Sequence, residues 1–241
     1  MAKYKAEKQR QLARKQEQKT RFGKRKLASI PRPRMNQELR KHLVYTSTIT
    51  KAFMQRLAKK RFLYQVENEK KRRTIGGPDV ELVSLSAGLH DIGKTRERVS
   101  KAIAGTKRLG AHRKNEMKRH VTKGVEILNE ISNGLPGNKR TKVIKIVESH
   151  HEHWNGSGYP EGLRGTQIPI GGRVLSIVDA FCALTEKRSY KEGKPVPVTL
   201  KILQKESGNL FDPELVQEFL EFAENRDFKM YQPTRRITAK K

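Results

Sequence analysis

Apolar residues recur along this chain at the three-and-four spacing of amphipathic helices, and alternating strand patterns are nearly absent. Asn36 suits an N-cap, ahead of a helix carrying Leu39, Leu43, Ile49, Phe53 and Leu57. A basic link then reaches Gly76-Gly77-Pro78, a loop signal, after which Asp79 is expected to cap a helix with Val80, Val83, Ala87 and His90 down one side. Further helices are expected at about 115–131, 141–151 and 171–186, then at roughly 197–206 and 213–224. The last opens on Asp212-Pro213, with proline at the first helical position. The pattern predicts an all-α domain without internal repeats.

The first 28 residues break this pattern. They are rich in Lys, Arg, Gln and Ala and hold few large apolar side chains, so they cannot bury a core of their own. Ile30-Pro31-Arg32-Pro33-Arg34 interrupts any helix, because each proline lacks an N–H and restricts the residue before it. This divides the chain into a basic arm at 1–34, disordered or folded on a partner, a domain at 35–225, and a basic C-terminal tail at 226–241.

Charge sharpens the division. The net charge is +28, and the arm alone carries thirteen Lys/Arg against two Glu. Residues 51–73 add +7 and residues 94–123 add +9, leaving the rest close to neutral. Charge concentrated in this way implies a polyanionic partner such as RNA, DNA, the ribosome or an anionic membrane surface. The bland alternative is a solubilising surface. Apolar runs such as 143–147 are too short to cross a bilayer, and no apolar stretch follows the charged N-terminus. One cysteine, Cys182, excludes an internal disulfide and suits a reducing, cytoplasmic setting.

The chain has seven histidines, and several fall beside acids or one another at helix ends. His90-Asp91 closes the apolar stretch from Leu85; side by side, the two can reach one metal ion. His120 precedes Gly124, Ile127 and Leu128 at helical spacing, and His150-His151 follows the apolar segment 143–147. Each has an ordinary reading, as a chance dipeptide, an exposed histidine or a helix cap. Asp179 is different. It lies in the run Val174-Leu175-Ser176-Ile177-Val178-Asp179-Ala180-Phe181, where a buried carboxylate costs several kcal/mol unless paired or metal-bound. Together these residues offer nitrogen and oxygen donors and no thiolate, which suits iron, manganese or another first-row metal. Lys94, one turn after His90, stands where it could meet a phosphate.

The segment Leu89-His90-Asp91-Ile92-Gly93-Lys94 resembles the signature of the HD superfamily of metal-dependent phosphohydrolases. The stretch HHEHWNGSGYPEGLRGTQIP from His150, followed by RVLSIVDAFCALTEKRSYK, is similar to the HD-GYP family, with Gly158-Tyr159-Pro160 as its namesake. The resemblance runs over roughly 80–225. It implies an HD-type helical bundle that binds two or three divalent ions, iron or manganese, and linearises cyclic di-GMP to pGpG and GMP. Carried over by position, it implies His90, Asp91, His120, His150, His151 and Asp179 as ligands, Asp91 and Lys94 as catalytic groups, and Lys94, Arg188 and Lys191 as substrate contacts. Guanidinium and ammonium groups are natural phosphate partners.

Some positions depart from the family. Its further upstream histidine is expected near Ala58, whereas His42, with Glu38 on the same helix face, lies some sixteen residues earlier. That pair completes a third site only if 60–78 is an insertion. Cys182 replaces the usual aspartate and Ser189 the usual proline. The sequence therefore leaves three functions open: a cyclic dinucleotide phosphodiesterase, a binding module tethered to nucleic acid or ribosome with little turnover, and a phosphohydrolase acting on RNA or another nucleotide.

Overall fold

A computed structural model describes residues 35–67, 69, 71–96, 99, 111–131, 136–187, 192–225 and 228. The arm at 1–34, Arg188, Lys191 and most of the C-terminal tail lie outside the described residues. The chain runs through α1 (Gln37–Lys59), β1 (Leu63–Tyr64), β2 (Arg73–Thr74) and α2 (Gly77–Ala87) to a 3-10 turn (Ile92–Thr95). It continues through α3 (Ala111–Lys118), α4 (His120–Ile131) and α5 (Gly137–Glu148), then α6 (Ile170–Thr185), α7 (Val196–Lys205) and α8 (Pro213–Glu224). The fold is all-α apart from the two-residue strands, which pair antiparallel with Leu63 opposite Thr74.

Local chemistry sets most boundaries. Asn36 Oδ1 accepts from the Leu39 N–H at 2.7 Å, starting α1. Asp212 Oδ1 accepts from the Glu214 and Leu215 N–H groups ahead of Pro213, starting α8. Asp79 does not cap α2 as expected. The helix starts three residues earlier, with Gly76 at the N-cap, and Asp79 instead reaches back to accept the Gly76 N–H at 2.9 Å. The helix expected at 115–131 is interrupted at Arg119, so His120 opens α4 rather than lying mid-helix. The helix expected at 141–151 runs from Gly137 to Glu148, leaving His150 and His151 in the turn beyond it.

α1 and α2 form an antiparallel pair: Ser47 Oγ donates to the Ser84 carbonyl, and Lys51 lies 3.6 Å from Glu81. As the numbers rise along α1 they fall along α2, so His42 and His90 arrive at the same end. The larger core cluster gathers Ile49, Phe53 and Leu57 from α1, Val174, Leu175 and Phe181 from α6, and Phe219 and Phe222 from α8. Phe53 and Phe181 meet Phe219 edge-on at 5.1 and 5.3 Å. Such pairs add ~0.5–1.5 kcal/mol each beyond their buried area. This core takes in Phe228, three residues past the tail boundary expected at 225. A smaller cluster of Ile92, Ile127, Leu128, Val143 and Val147 joins the 3-10 turn to α4 and α5. Buried Arg173 ties several parts together, donating to Asp212 at 2.9 Å and to the Gln65 carbonyl at 2.8 Å. No helix among the described residues is long and apolar enough to cross a membrane.

Candidate metal centre

Five elements deliver polar side chains to one buried place. α1 contributes His42, the turn after α2 contributes His90 and Asp91, and the start of α4 contributes His120. His150 and His151 come from the turn after α5, and Asp179 from the middle of α6. His42, His90, Asp91, His120 and His150 are all buried. Gly93 lets these parts close up: a Cβ there would run into the carbonyl of His120.

The donor atoms form two groups that share Asp91. One comprises Asp91, His120, His150 and His151, the other His42, His90 and Asp91. Asp91 Oδ1 lies 3.3 Å from His120 Nε2, while Oδ2 lies 3.5 Å from His90 Nε2 and 3.8 Å from His42 Nε2. Asp179 Oδ1 joins the second group, 2.9 Å from His42 Nε2 and 3.4 Å from His90 Nε2. Each carboxylate oxygen of Asp91 thus faces a different set of nitrogens.

The imidazoles are held in one orientation. His90 Nδ1 donates to the Ala87 carbonyl at 2.8 Å, His120 Nδ1 to Met117 at 2.7 Å, and His150 Nδ1 to Val147 at 2.5 Å. A carbonyl can only accept, so each Nδ1 carries the proton, and in the neutral ring Nε2 presents a lone pair to the centre. Burial pushes His120 and His150 down and His151 to about 3, favouring the neutral, ligating form. Burial alone would raise Asp91, but Lys94, with His90 and His120, outweighs it and holds the carboxyl well below the usual carboxylate range. Asp179 is held down in the same way, its burial outweighed by the hydrogen bond from His42 and by the nearness of His90. His42 goes the other way. Burial lowers it, yet its bonds to Asp179 and Glu186 lift it to about 9.

This arrangement fits a cation. His120 Nε2 and His150 Nε2 face each other at 3.4 Å as two lone pairs, which repel unless a positive charge sits between them. His90 Nε2 and Asp91 Oδ1 are buried without a hydrogen-bond partner, a state that is expensive in a low-dielectric interior. Separations near 3 Å are those of two donors about 2.1 Å from one ion and roughly at right angles. The donors are nitrogen and oxygen only, with no thiolate among them, a set that suits a divalent metal ion.

One wall of the site is the loop that follows α5. Glu152 is buried, and its two oxygens accept the N–H groups of Glu161 at 2.7 Å and Leu163 at 3.0 Å, pinning the loop from inside. Gly158 fits because a Cβ there would strike the backbone of His151, Glu152 and His153. Tyr159 then stacks on His151, with ring centroids 4.9 Å apart, and Lys118 Nζ lies 4.9 Å over the Tyr159 ring. Lys94 Nζ donates to Asp91 Oδ2 while its side chain stays partly exposed.

The structure therefore brings His90, Asp91, His120, His150, His151, Asp179 and Lys94 together. It adds His42, which the sequence left open, whereas Glu38 is exposed and outside both donor groups. Arg188 and Lys191 lie outside the described residues. Sequence reasoning did not single out Glu152, Glu186 or Lys118. The one available signal was the glutamate set between His151 and His153, and it pointed to Glu152 alone.

A family model described as HD domain matches residues 27–215. The chain is 38 % identical over 144 residues to "3'3'-cGAMP-specific phosphodiesterase 2" of Vibrio cholerae, covering 59 % of this chain and 26 % of that protein. It is 34 % identical over 138 residues to "Cyclic di-GMP phosphodiesterase" of Thermotoga maritima, covering 57 % of this chain and 36 % of that protein. It thus spans between about a quarter and about a third of the length of these curated relatives. Among solved structures it is similar to an HDG"Y"P protein from Bdellovibrio bacteriovorus, with a TM-score of 0.56 and 21 % identity over 78 % of this chain and 53 % of the other. At that identity the likeness is one of fold. With an HD domain match over most of its length, and a buried His-Asp pair at the hub of its polar cluster, the chain belongs to the HD domain family.

Proposed function

We propose that this protein hydrolyses a phosphodiester bond of a cyclic dinucleotide at a two-metal centre, with cyclic di-GMP as first candidate and pGpG, then GMP, as products. The observation that carries the reading is the sharing of Asp91 between two groups of converging nitrogen and oxygen donors. The names of the relatives, cyclic di-GMP and 3'3'-cGAMP phosphodiesterases, support the substrate class.

His120, His150 and His151 would hold one ion, His42, His90 and Asp179 the other, and Asp91 both; iron or manganese suits these donors. Two divalent ions bound there would polarise the phosphoryl group and make a nucleophile available from water near neutral pH. Water adds across the P–O bond, its oxygen to phosphorus and a proton to the departing ribose oxygen. Lys94, bonded to Asp91 and open to solvent on one side, is placed to hold a phosphate oxygen or to protonate that leaving oxygen. Tyr159 and Lys118 would flank the substrate beside His151, and Arg188 and Lys191 would pair with its phosphates.

One observation favours a second reading. The net charge of +28, concentrated in the arm and two further segments, suits a domain tethered to RNA, DNA or ribosome, with little turnover or with RNA as its substrate. The test is a product assay of manganese- and iron-loaded protein against cyclic di-GMP, 3'3'-cGAMP, pGpG and short RNA. Linear dinucleotide from wild type, and none from His90→Ala, is the expected result. Cleavage of RNA alone, or of nothing, would replace the reading with the second one.

A further inference from the structure

Asp179 and Glu186 lie seven residues apart on α6 and at its end, hence two turns apart on one face. Between them sits a single ring. His42 Nε2 is 2.9 Å from Asp179 Oδ1, and His42 Nδ1 is 2.6 Å from Glu186 Oε2. The Glu186 side chain is only 14 % exposed, so this bond is sheltered from water. The other three oriented histidines of the centre spend their Nδ1 proton on the carbonyl three residues back. His42 is in the middle of a regular helix and instead uses a carboxylate from another helix.

We infer that Glu186 is a positioning residue for the second metal site: it takes the Nδ1 proton of His42 and so commits Nε2 to the ion shared with His90, Asp91 and Asp179. Glu186 meets His42 at Nδ1, the ring nitrogen opposite the one that faces the other donors, so it acts through His42 rather than as a ligand. A carboxylate behind a ligating imidazole fixes the tautomer, stops the ring from turning and raises the basicity of the far nitrogen. The effect is one-sided, because Glu186 bonds to His42 and His42 belongs to one of the two donor groups, not to the group of His120, His150 and His151. The inference rests on the two-metal reading above.

Full-length wild type, Glu186→Ala, Glu186→Gln, His42→Ala and the double variant Glu186→Ala/His42→Ala are stripped of metal and titrated with Mn²⁺. Calorimetry gives the affinities, and mass spectrometry gives the stoichiometry. Wild type should bind two ions. Glu186→Ala should weaken one of them by about 10–100-fold and leave the other unchanged. Glu186→Gln, whose amide oxygen still accepts from Nδ1, should recover most of the loss. Adding Glu186→Ala to His42→Ala should cost nothing further, because the two act as a unit. Wild-type affinity for both ions in Glu186→Ala would overturn the inference. So would equal loss of both ions with a lower melting temperature of the metal-free protein, which would make Glu186 merely structural. If wild type takes up no Mn²⁺ at all, the two-metal reading itself fails, and this inference with it.

Discussion

His42 Nε2 and Asp179 Oδ1, 137 residues apart in the chain, meet at 2.9 Å inside the helical bundle. This contact joins α1 to α6 at the level of the His90-Asp91 turn and completes the second group of donors. It depends on the antiparallel pairing of α1 with α2, which returns the chain to the height of His42 after the hairpin. Consequences for stability and turnover follow from the groups around it.

Glu152, itself buried, accepts two partly buried backbone N–H groups, those of Glu161 and Leu163. Glu152→Ala would leave both unsatisfied, at a cost of about 2–4 kcal/mol. The melting temperature should fall by roughly 4–16 °C, and Tyr159 should lose its fixed place over His151. An unchanged thermal melt would contradict this role.

Gly93 lies against the carbonyl of His120 with no room for a Cβ. Gly93→Ala should cost about 1–3 kcal/mol through forced separation of the 3-10 turn from α4. Because His120 and Asp91 sit on the two sides of that contact, metal uptake should fall together with stability. Urea unfolding combined with Mn²⁺ stoichiometry checks both, and wild-type values in both would refute the close approach.

Lys94 and Lys118 should separate kinetically. Lys94 touches Asp91, so Lys94→Ala should lower kcat by about 10²–10⁴-fold. Lys118 is exposed over Tyr159, and Lys118→Ala should mainly raise KM by a few-fold, as expected when one exposed charge contact worth ~0.2–1 kcal/mol is lost. A kcat defect in Lys118→Ala that equals that of Lys94→Ala would remove the distinction.

Most helices were legible because apolar spacing and caps agree at Asn36 and at Asp212-Pro213. Asp79 misled because an acid near a helix start reads as an N-cap, while Gly76-Gly77-Pro78 let the helix begin earlier. The six side chains named from the sequence converge because polar groups on buried faces need a shared purpose. His42 stayed ambiguous because linear spacing cannot reveal a hairpin between α1 and α2 that restores its height beside His90. Glu186 carried no signal, since an acid at a helix end looks the same whether it faces solvent or a histidine.

The arm at 1–34 carries +11 without a core, so it is proposed to bind a polyanion independently of turnover. Deleting it should weaken RNA or DNA binding and flatten its salt dependence, because fewer counterions are released. Tyr4 and Phe22 are the arm's only aromatic residues, so sequence preference should be slight. Filter binding over a salt series checks this. Equal binding by the full chain and the truncation at low salt would move the footprint to the other basic segments.

The central claim is that Asp91 joins two ions into one hydrolytic centre. The most direct measurement is the rate of cyclic di-GMP opening by chelator-stripped protein as Mn²⁺ is returned, with bound metal counted alongside, for wild type and Asp91→Asn. The expected result is activity that appears as wild type approaches two ions per chain and stays absent in Asp91→Asn. Full activity with one ion bound, or wild-type turnover by Asp91→Asn, would contradict it.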